Sequence, residues 1–211
     1  RKEVGQPGHL GMYWQNASMQ YNYQPDDKTV LNATFRYFGN EQDHFDYYSD
    51  LYFTDRPNDI LKLTDKTTAS TKRPSLDLYF QKTLPANQLL VVNVVGTYIG
   101  SKSGRFYQEN QNGSLITDIQ NNVDGKKYSI IAESIYEKQM KAGTFSAGLK
   151  HSQAFSDNTY TNGTRYVTEM RQADTYAYIS FKGKLKNLEY NLGIGGTRAW
   201  SFQEGDGDGY E

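Results

Sequence analysis

Apolar and polar residues alternate with a period of two along several short stretches of this chain, and the most regular pair runs from Leu76 to Tyr98. Leu76, Leu78 and Phe80 share one face, with Ser75, Asp77, Tyr79 and Gln81 on the other. After Leu84-Pro85-Ala86-Asn87, where proline presets φ and asparagine tolerates turn geometry, Leu90, Val92 and Val94 return against Val91, Asn93, Val95 and Thr97. This is the pattern of a β-hairpin with one consistently apolar face and one that admits polar groups. The unit recurs. His9 to Tyr23 sets Ala17, Met19, Tyr21 and Tyr23 against Asn16, Ser18, Gln20 and Asn22; Thr29 to Tyr37 sets Leu31, Ala33, Phe35 and Tyr37 against Asn32, Thr34 and Arg36. Tyr128–Tyr136 with Phe145–Ser152, and Thr175–Lys182 with Leu188–Gly195, complete an expected set of eight strands in four hairpins, an antiparallel up-and-down meander.

The connections change what that meander implies. Tight turns at 24–28, 84–87, 138–143 and 183–187 alternate with long polar connections at 39–73, 100–125 and 156–172, the last with Asn162-Gly163 at its tip. Soluble barrels and sandwiches mix their loop lengths around a short median. An outer-membrane barrel carries short turns on one rim and long loops on the other. Arg36, Glu133, Lys150 and Lys182 sit within the polar face; a narrow soluble barrel would have to bury them, at several kcal/mol each if unpaired, whereas a wide barrel leaves them wet. The expected fold is therefore all-β, part of a transmembrane β-barrel. Its lipid face would hold Leu31, Phe35, Leu78, Val92, Leu149, Ile179 and Leu192, and its lumen Asn32, Arg36, Asn93, Glu133, Lys150 and Asn191. A soluble meander reverses the faces, and alternation alone does not separate the two.

Composition narrows the classes. The chain has 211 residues, a net charge of -1, 18 Tyr, 10 Phe, 19 Gly and no Cys. The charge balance points to no nucleic-acid partner, and the missing cysteines exclude a disulfide framework or a thiolate site. A mean hydropathy of -0.79 and the absence of any apolar run near the length of a spanning helix exclude a helical membrane anchor but not a barrel. The opening Arg1-Lys2-Glu3-Val4-Gly5 is not a signal peptide, and the chain stops in Gly205 to Glu211, so both ends read as cut.

Two stretches carry a family resemblance. Tyr128-Ser129-Ile130-Ile131-Ala132-Glu133-Ser134-Ile135-Tyr136-Glu137-Lys138, followed by Lys141 to Lys150 and by Asp157-Asn158-Thr159-Tyr160, resembles the outer-membrane β-barrel of Bacteroidetes TonB-dependent receptors. So does Leu76 to Pro85 with Val94 to Tyr98. The resemblance covers most of residues 70–160. It implies that 1–211 is a partial barrel domain from a receptor of about 22 strands in the outer membrane of a Gram-negative bacterium. It further implies contact with outer-membrane lipid, a nutrient ligand, and a TonB complex engaged through a plug and coupling segment that this stretch does not contain.

No catalytic chemistry is expected. His9, His44 and His151 are far apart and lack metal-ligand spacing, so neither a metal nor a cofactor is expected. Gly193-Ile194-Gly195-Gly196 lies in an alternating strand rather than at a helix start, which points to close strand packing instead of phosphate binding. Asp206 to Glu211 is an acidic turn with the composition of a calcium-loop remnant. The sequons at Asn16, Asn32, Asn112 and Asn162 have no role in a bacterial protein. The exposed aromatic cluster around Tyr47, Tyr48, Tyr52 and Phe53, with Phe45 and Leu51, is the ligand-binding candidate, against the alternative of two strands packing above the membrane. The competing reading of the whole chain is a small soluble, lipocalin-like β-barrel for an apolar ligand.

Overall fold

After the first short strand, each strand pairs with the one that follows it, so the chain folds back and forth as a single sheet. A computed structural model describes residues 2–6 and 10–207, with side chains from 11 to 42 and from 47 to 205. The strands are β1 Lys2–Gln6, β2 Leu10–Asp26, β3 Thr29–Tyr52, β4 Ile60–Leu84, β5 Gln88–Gln111, β6 Ser114–Met140, β7 Gly143–Asn162, β8 Thr164–Leu185 and β9 Leu188–Gly207. From β2 onward the order is sequential and antiparallel. β1 and β2 lie end to end along β3, β1 on its far half and β2 on its near half.

The four tight turns fall where the pattern puts them, at Asp27-Lys28, Pro85-Ala86-Asn87, Lys141-Ala142 and Lys186-Asn187. The three long polar connections do not. Residues 39–52 and 60–73, 100–111 and 114–125, and 156–162 and 164–172 continue the ladders, leaving only 53–59, Asn112-Gly113 and Gly163 as the distal bends. Beyond the apolar segments both faces of the sheet are wet, so side-chain alternation fades although the backbone pairing goes on. The expected eight strands become nine through β1. In β3 a bulge between Gln42 and Phe45 shifts the register by one residue and exchanges the faces beyond it.

Cross-strand register sorts the two faces cleanly. One row runs Asn22, Asn32, Tyr79, Asn93, Glu133, Lys150, Tyr176, Thr197; the row one residue away runs Tyr23, Leu31, Phe80, Val92, Ser134, Leu149, Ala177, Gly196. In the second row Leu31, Val92, Leu149 and Gly196 stand two, four, six and eight positions past the first residues of their strands, Thr29, Gln88, Gly143 and Leu188. The stagger is thus one residue per strand, always in one sense. A rise of about 3.3 Å against a strand spacing of about 4.8 Å inclines the strands by roughly 35°, the tilt of closed barrels.

The apolar band opens along the turns and ends along a cross-strand row. It opens at Leu31, Leu90, Phe145 and Tyr190, each two positions into its strand. Its distal edge is aromatic: Tyr37, Tyr98, Tyr128, Phe155 and Phe202 stand along one line, with Tyr98 and Tyr128 ring centroids 4.8 Å apart. No second layer covers this band among the described residues. Leu149, Ile179 and Leu192 are 52%, 51% and 68% exposed, and among the described residues only Leu51 and Ala173 are buried hydrophobic side chains.

The distal bends are tied together by Asn112, which holds a left-handed φ of 50° beside Gly113 in a type I′ geometry. Its Oδ1 accepts from the Ile60 N–H at 2.9 Å, its Nδ2 donates to Asp59 Oδ1 at 2.8 Å, and its own N–H donates to the Ile60 carbonyl at 3.0 Å. Asn112→Ala removes both side-chain bonds and strains the turn, costing about 1 kcal/mol locally. Amide exchange at Ile60 and across 53–59 should accelerate severalfold while Leu90 to Tyr98 keeps its protection; unchanged exchange at Ile60 would show that the clamp is idle.

Candidate functional site

Past the aromatic line, the polar face of β3 to β6 presents a connected set of side chains. Because the β3 bulge exchanges faces, Tyr47 comes level with Asp65, and Asp65 with Tyr107. In β5 the alternation Arg105, Tyr107, Glu109 places three functional groups on this one face. Arg105 grips Asp65 in a two-pronged pair, Nε to Oδ1 at 3.0 Å and Nη2 to Oδ2 at 2.7 Å, with its guanidinium 5.5 Å from the Tyr107 ring centre. The Tyr107 hydroxyl donates to Glu109 Oε1, and the Thr117 hydroxyl donates to Glu109 Oε2 at 2.9 Å.

The charges follow from these contacts. The hydrogen bond to Asp65, reinforced by its charge, pushes the Arg105 guanidinium above its already high value, so the cation is permanent. Glu109, which accepts the phenolic proton and whose charge opposes a phenolate, pushes Tyr107 above the ordinary tyrosine range. Asp65 already uses both fork arms of Arg105, which is therefore a braced post rather than an open anion receptor. What remains presented is the Tyr107 ring and the edge of the Asp65–Arg105 pair, with Tyr47 on the same face. Such a surface can stack on a ring and hydrogen-bond a polar ligand.

The four aromatic residues singled out from the sequence do not share one surface. Tyr47 belongs to the polar face just described. Tyr48 and Tyr52 alternate onto the opposite face, Tyr48 beneath the Lys66 ammonium at 5.5 Å, and Phe53 sits in the bend under the Arg56 guanidinium at 4.8 Å. Asp65, Arg105, Tyr107, Glu109 and Thr117 were hidden inside stretches that read as loops; the period-two spacing of Arg105, Tyr107 and Glu109 was the available signal. His151 lies at the distal margin of the apolar band with Nδ1 2.7 Å from the Thr175 hydroxyl. Gly193 and Gly195 are strand residues of β9: a side chain at Gly193 would crowd Ser180, and one at Gly195 would crowd the Tyr176 hydroxyl and the Ala177 carbonyl. Among the described residues no group of three His, Asp or Glu is placed to hold a metal. His9, the side chains of His44, Phe45 and Asp206, and residues 208–211 of the acidic run lie outside the described residues.

Because Tyr107 is held neutral, its contribution to the network is complete below the ordinary tyrosine value and is lost as pH rises through the raised one. An alkaline titration by near-ultraviolet absorbance, read as the difference from the Tyr107→Phe variant, should place this ionisation above that of a free tyrosine. Glu109→Gln should bring it back down; an identical titration in both backgrounds would dissolve the network.

No protein-family model matches the chain, and no curated protein matches its sequence. Among solved structures it is similar to the ferric citrate transporter FecA in its unliganded form, at 8% identity and a TM-score of 0.31, over 90% of this chain and 44% of that one. It is also similar to the ferric-catecholate import receptor Fiu from E. coli K12 in its closed form, at 4% identity and a TM-score of 0.21, over 97% of this chain and 46% of that one. The chain spans less than half the length of either, and at these scores the likeness carries no functional argument.

Proposed function

We propose that this chain is a non-catalytic section of the wall of a TonB-dependent receptor in the outer membrane of a Gram-negative bacterium of the Bacteroidetes type, serving nutrient uptake. One observation carries the reading: an uncovered apolar band opens along the line of tight turns, is bordered distally by a row rich in aromatic residues and backs onto a polar row. A soluble sheet must cover such a band, since exposed apolar area costs about 25 cal/mol per Å². A bilayer covers it without a second layer. Leu90 to Tyr98 spans nine residues, close to the 9–11 that a tilted strand needs to cross hydrocarbon. The tight turns then face the periplasm and the strand extensions project outside, carrying the Asp65–Arg105–Tyr107–Glu109 surface to where a nutrient arrives. The sequence resemblance over residues 70–160 supports the receptor class, and TonB coupling belongs to parts of such a receptor that this chain does not include.

The lipocalin-like alternative needs these aliphatic residues to enclose a cavity. The sheet does not close on itself among the described residues, and β2 and β9 each have one neighbour.

Two measurements test the membrane reading. Val94→Arg, at the middle of the band, should cost about 2–4 kcal/mol in denaturant unfolding from a bilayer, whereas Asn93→Arg on the opposite face should cost little. Equal costs would reject the assignment of faces. Expressed without detergent, the chain should aggregate; a monodisperse soluble monomer would reject the membrane outright.

A further inference from the structure

Two hollows adjoin on the apolar side of β3 to β6, and Tyr98 lines both. The lower one, about 460 Å³, lies within the band and exists because Gly96 has no side chain. Phe35, Leu76, Ile130 and Phe155 wall it, and no atom lies within 4 Å of where a Cβ at Gly96 would stand. The upper one, about 450 Å³, lies just past the tyrosine line, over Gly39 and Gly100. Lys72 and Lys126 flank Gly100 on the neighbouring strands, and the Tyr98 hydroxyl rests where a Gly100 side chain would be. Lys102, one row higher, is taken by Asp124 at 3.4 Å. Lys72 and Lys126 form no ion pair among the described residues. Glu41 at the margin and Asp157 opposite Lys126 stay beyond pairing distance.

The geometry points to a subsite for one phosphate-bearing membrane lipid, its acyl chain in the Gly96 hollow and its headgroup phosphate between Lys72 and Lys126 above the Tyr98 hydroxyl. This rests on the membrane reading and adds to it a place and a chemistry. The apolar hollow sits at hydrocarbon depth and the two ammonium groups sit one step beyond the aromatic edge, which is the spacing of a lipid's own tail and head. Charge fixes the place along the rim. On the row that holds Lys72, Gly100 and Lys126, the strands β7, β8 and β9 present Asp157, Glu169 and Glu204 instead, which repel an anionic headgroup. A phosphate therefore settles over β4 to β6.

The test uses the full chain reconstituted in phosphatidylcholine vesicles, with trace phosphatidic acid or phosphatidylcholine spin-labelled on the acyl chain. The unaltered chain should immobilise labelled phosphatidic acid in preference to labelled phosphatidylcholine. Each of Lys72→Gln and Lys126→Gln should cut that preference about five-fold, equivalent to about 1 kcal/mol per lysine. Gly96→Phe, which fills open space and leaves the fold intact, should reduce immobilised lipid of both kinds. Immobilised lipid with no headgroup preference, or a preference that survives both lysine changes, overturns the subsite while leaving the wall in the membrane. No immobilised lipid of either kind overturns the membrane reading itself. A dimer in the same vesicles that Gly96→Phe dissociates, without lipid preference, would hand the hollow to a second copy and overturn the proposal.

Discussion

A wall one sheet thick has nowhere to hide an unpaired backbone group, and that requirement shapes this chain more than any side-chain contact does. In hydrocarbon each orphaned N–H or C=O costs several kcal/mol. Through the apolar band the pairing runs unbroken from β2 to β9. The one place where the β4–β5 ladder skips is at Arg73 and Pro74, between the pairs Lys72–Gly100 and Ser75–Thr97. Proline has no N–H to give, and it stands level with Tyr37 at the aromatic edge, where the apolar band ends. Among the described residues β2 and β9 each keep one edge without a partner strand.

Tyrosine and glycine are the two most telling entries in the composition because they act together. The Tyr37 hydroxyl lies over Gly39, that of Tyr98 over Gly100, and the Tyr178 and Tyr190 rings over Gly148 and Gly183. A glycine lets the strand bend and twist but uncovers backbone, and an aromatic ring laid across it restores the cover. At Tyr98 this device has a consequence for chemistry. The ring that shields Gly100 delivers a hydroxyl to the rim between two lysines, and its absence from Gly96 leaves an open apolar hollow directly below.

The faces were legible in the sequence because a period-two pattern needs only local contrast. Leu31 against Asn32, and Val92 against Asn93, fall on the faces their alternation assigns. The tight turns were legible because Pro85, Asn87 and Asn187 are turn formers. The distal strands were not, since Thr67 to Thr71 and Ser101 to Gly104 meet water on both sides and show no contrast to read. The bulge between Gln42 and Phe45 left no signal either. Period-two alternation divides Tyr47 from Tyr48 and Tyr52, and the bulge decides which of the two surfaces each takes, bringing Tyr47 onto the face of Asp65. The Asp65–Arg105 pair joins residues forty positions apart, and only the register of β4 on β5 brings them together.

Extending the strands rather than looping them has a mechanical meaning. From Val92 to the end of β5 at Gln111 the strand runs on for nineteen residues, of which the apolar band, ending at Tyr98, takes only a fraction. The remainder is hydrogen-bonded on both sides by β4 and β6 and clamped at its tip by Asn112 to Asp59 and Ile60. Side chains on such a strand are positioned more sharply than on a free loop. Arg105 is braced by Asp65, and Tyr107 by Glu109. Which side chains meet on this surface is set by which residues share a cross-strand row. A one-residue register change at the β3 bulge would turn Tyr47 away from Asp65 and Tyr107 without altering a single residue of the network.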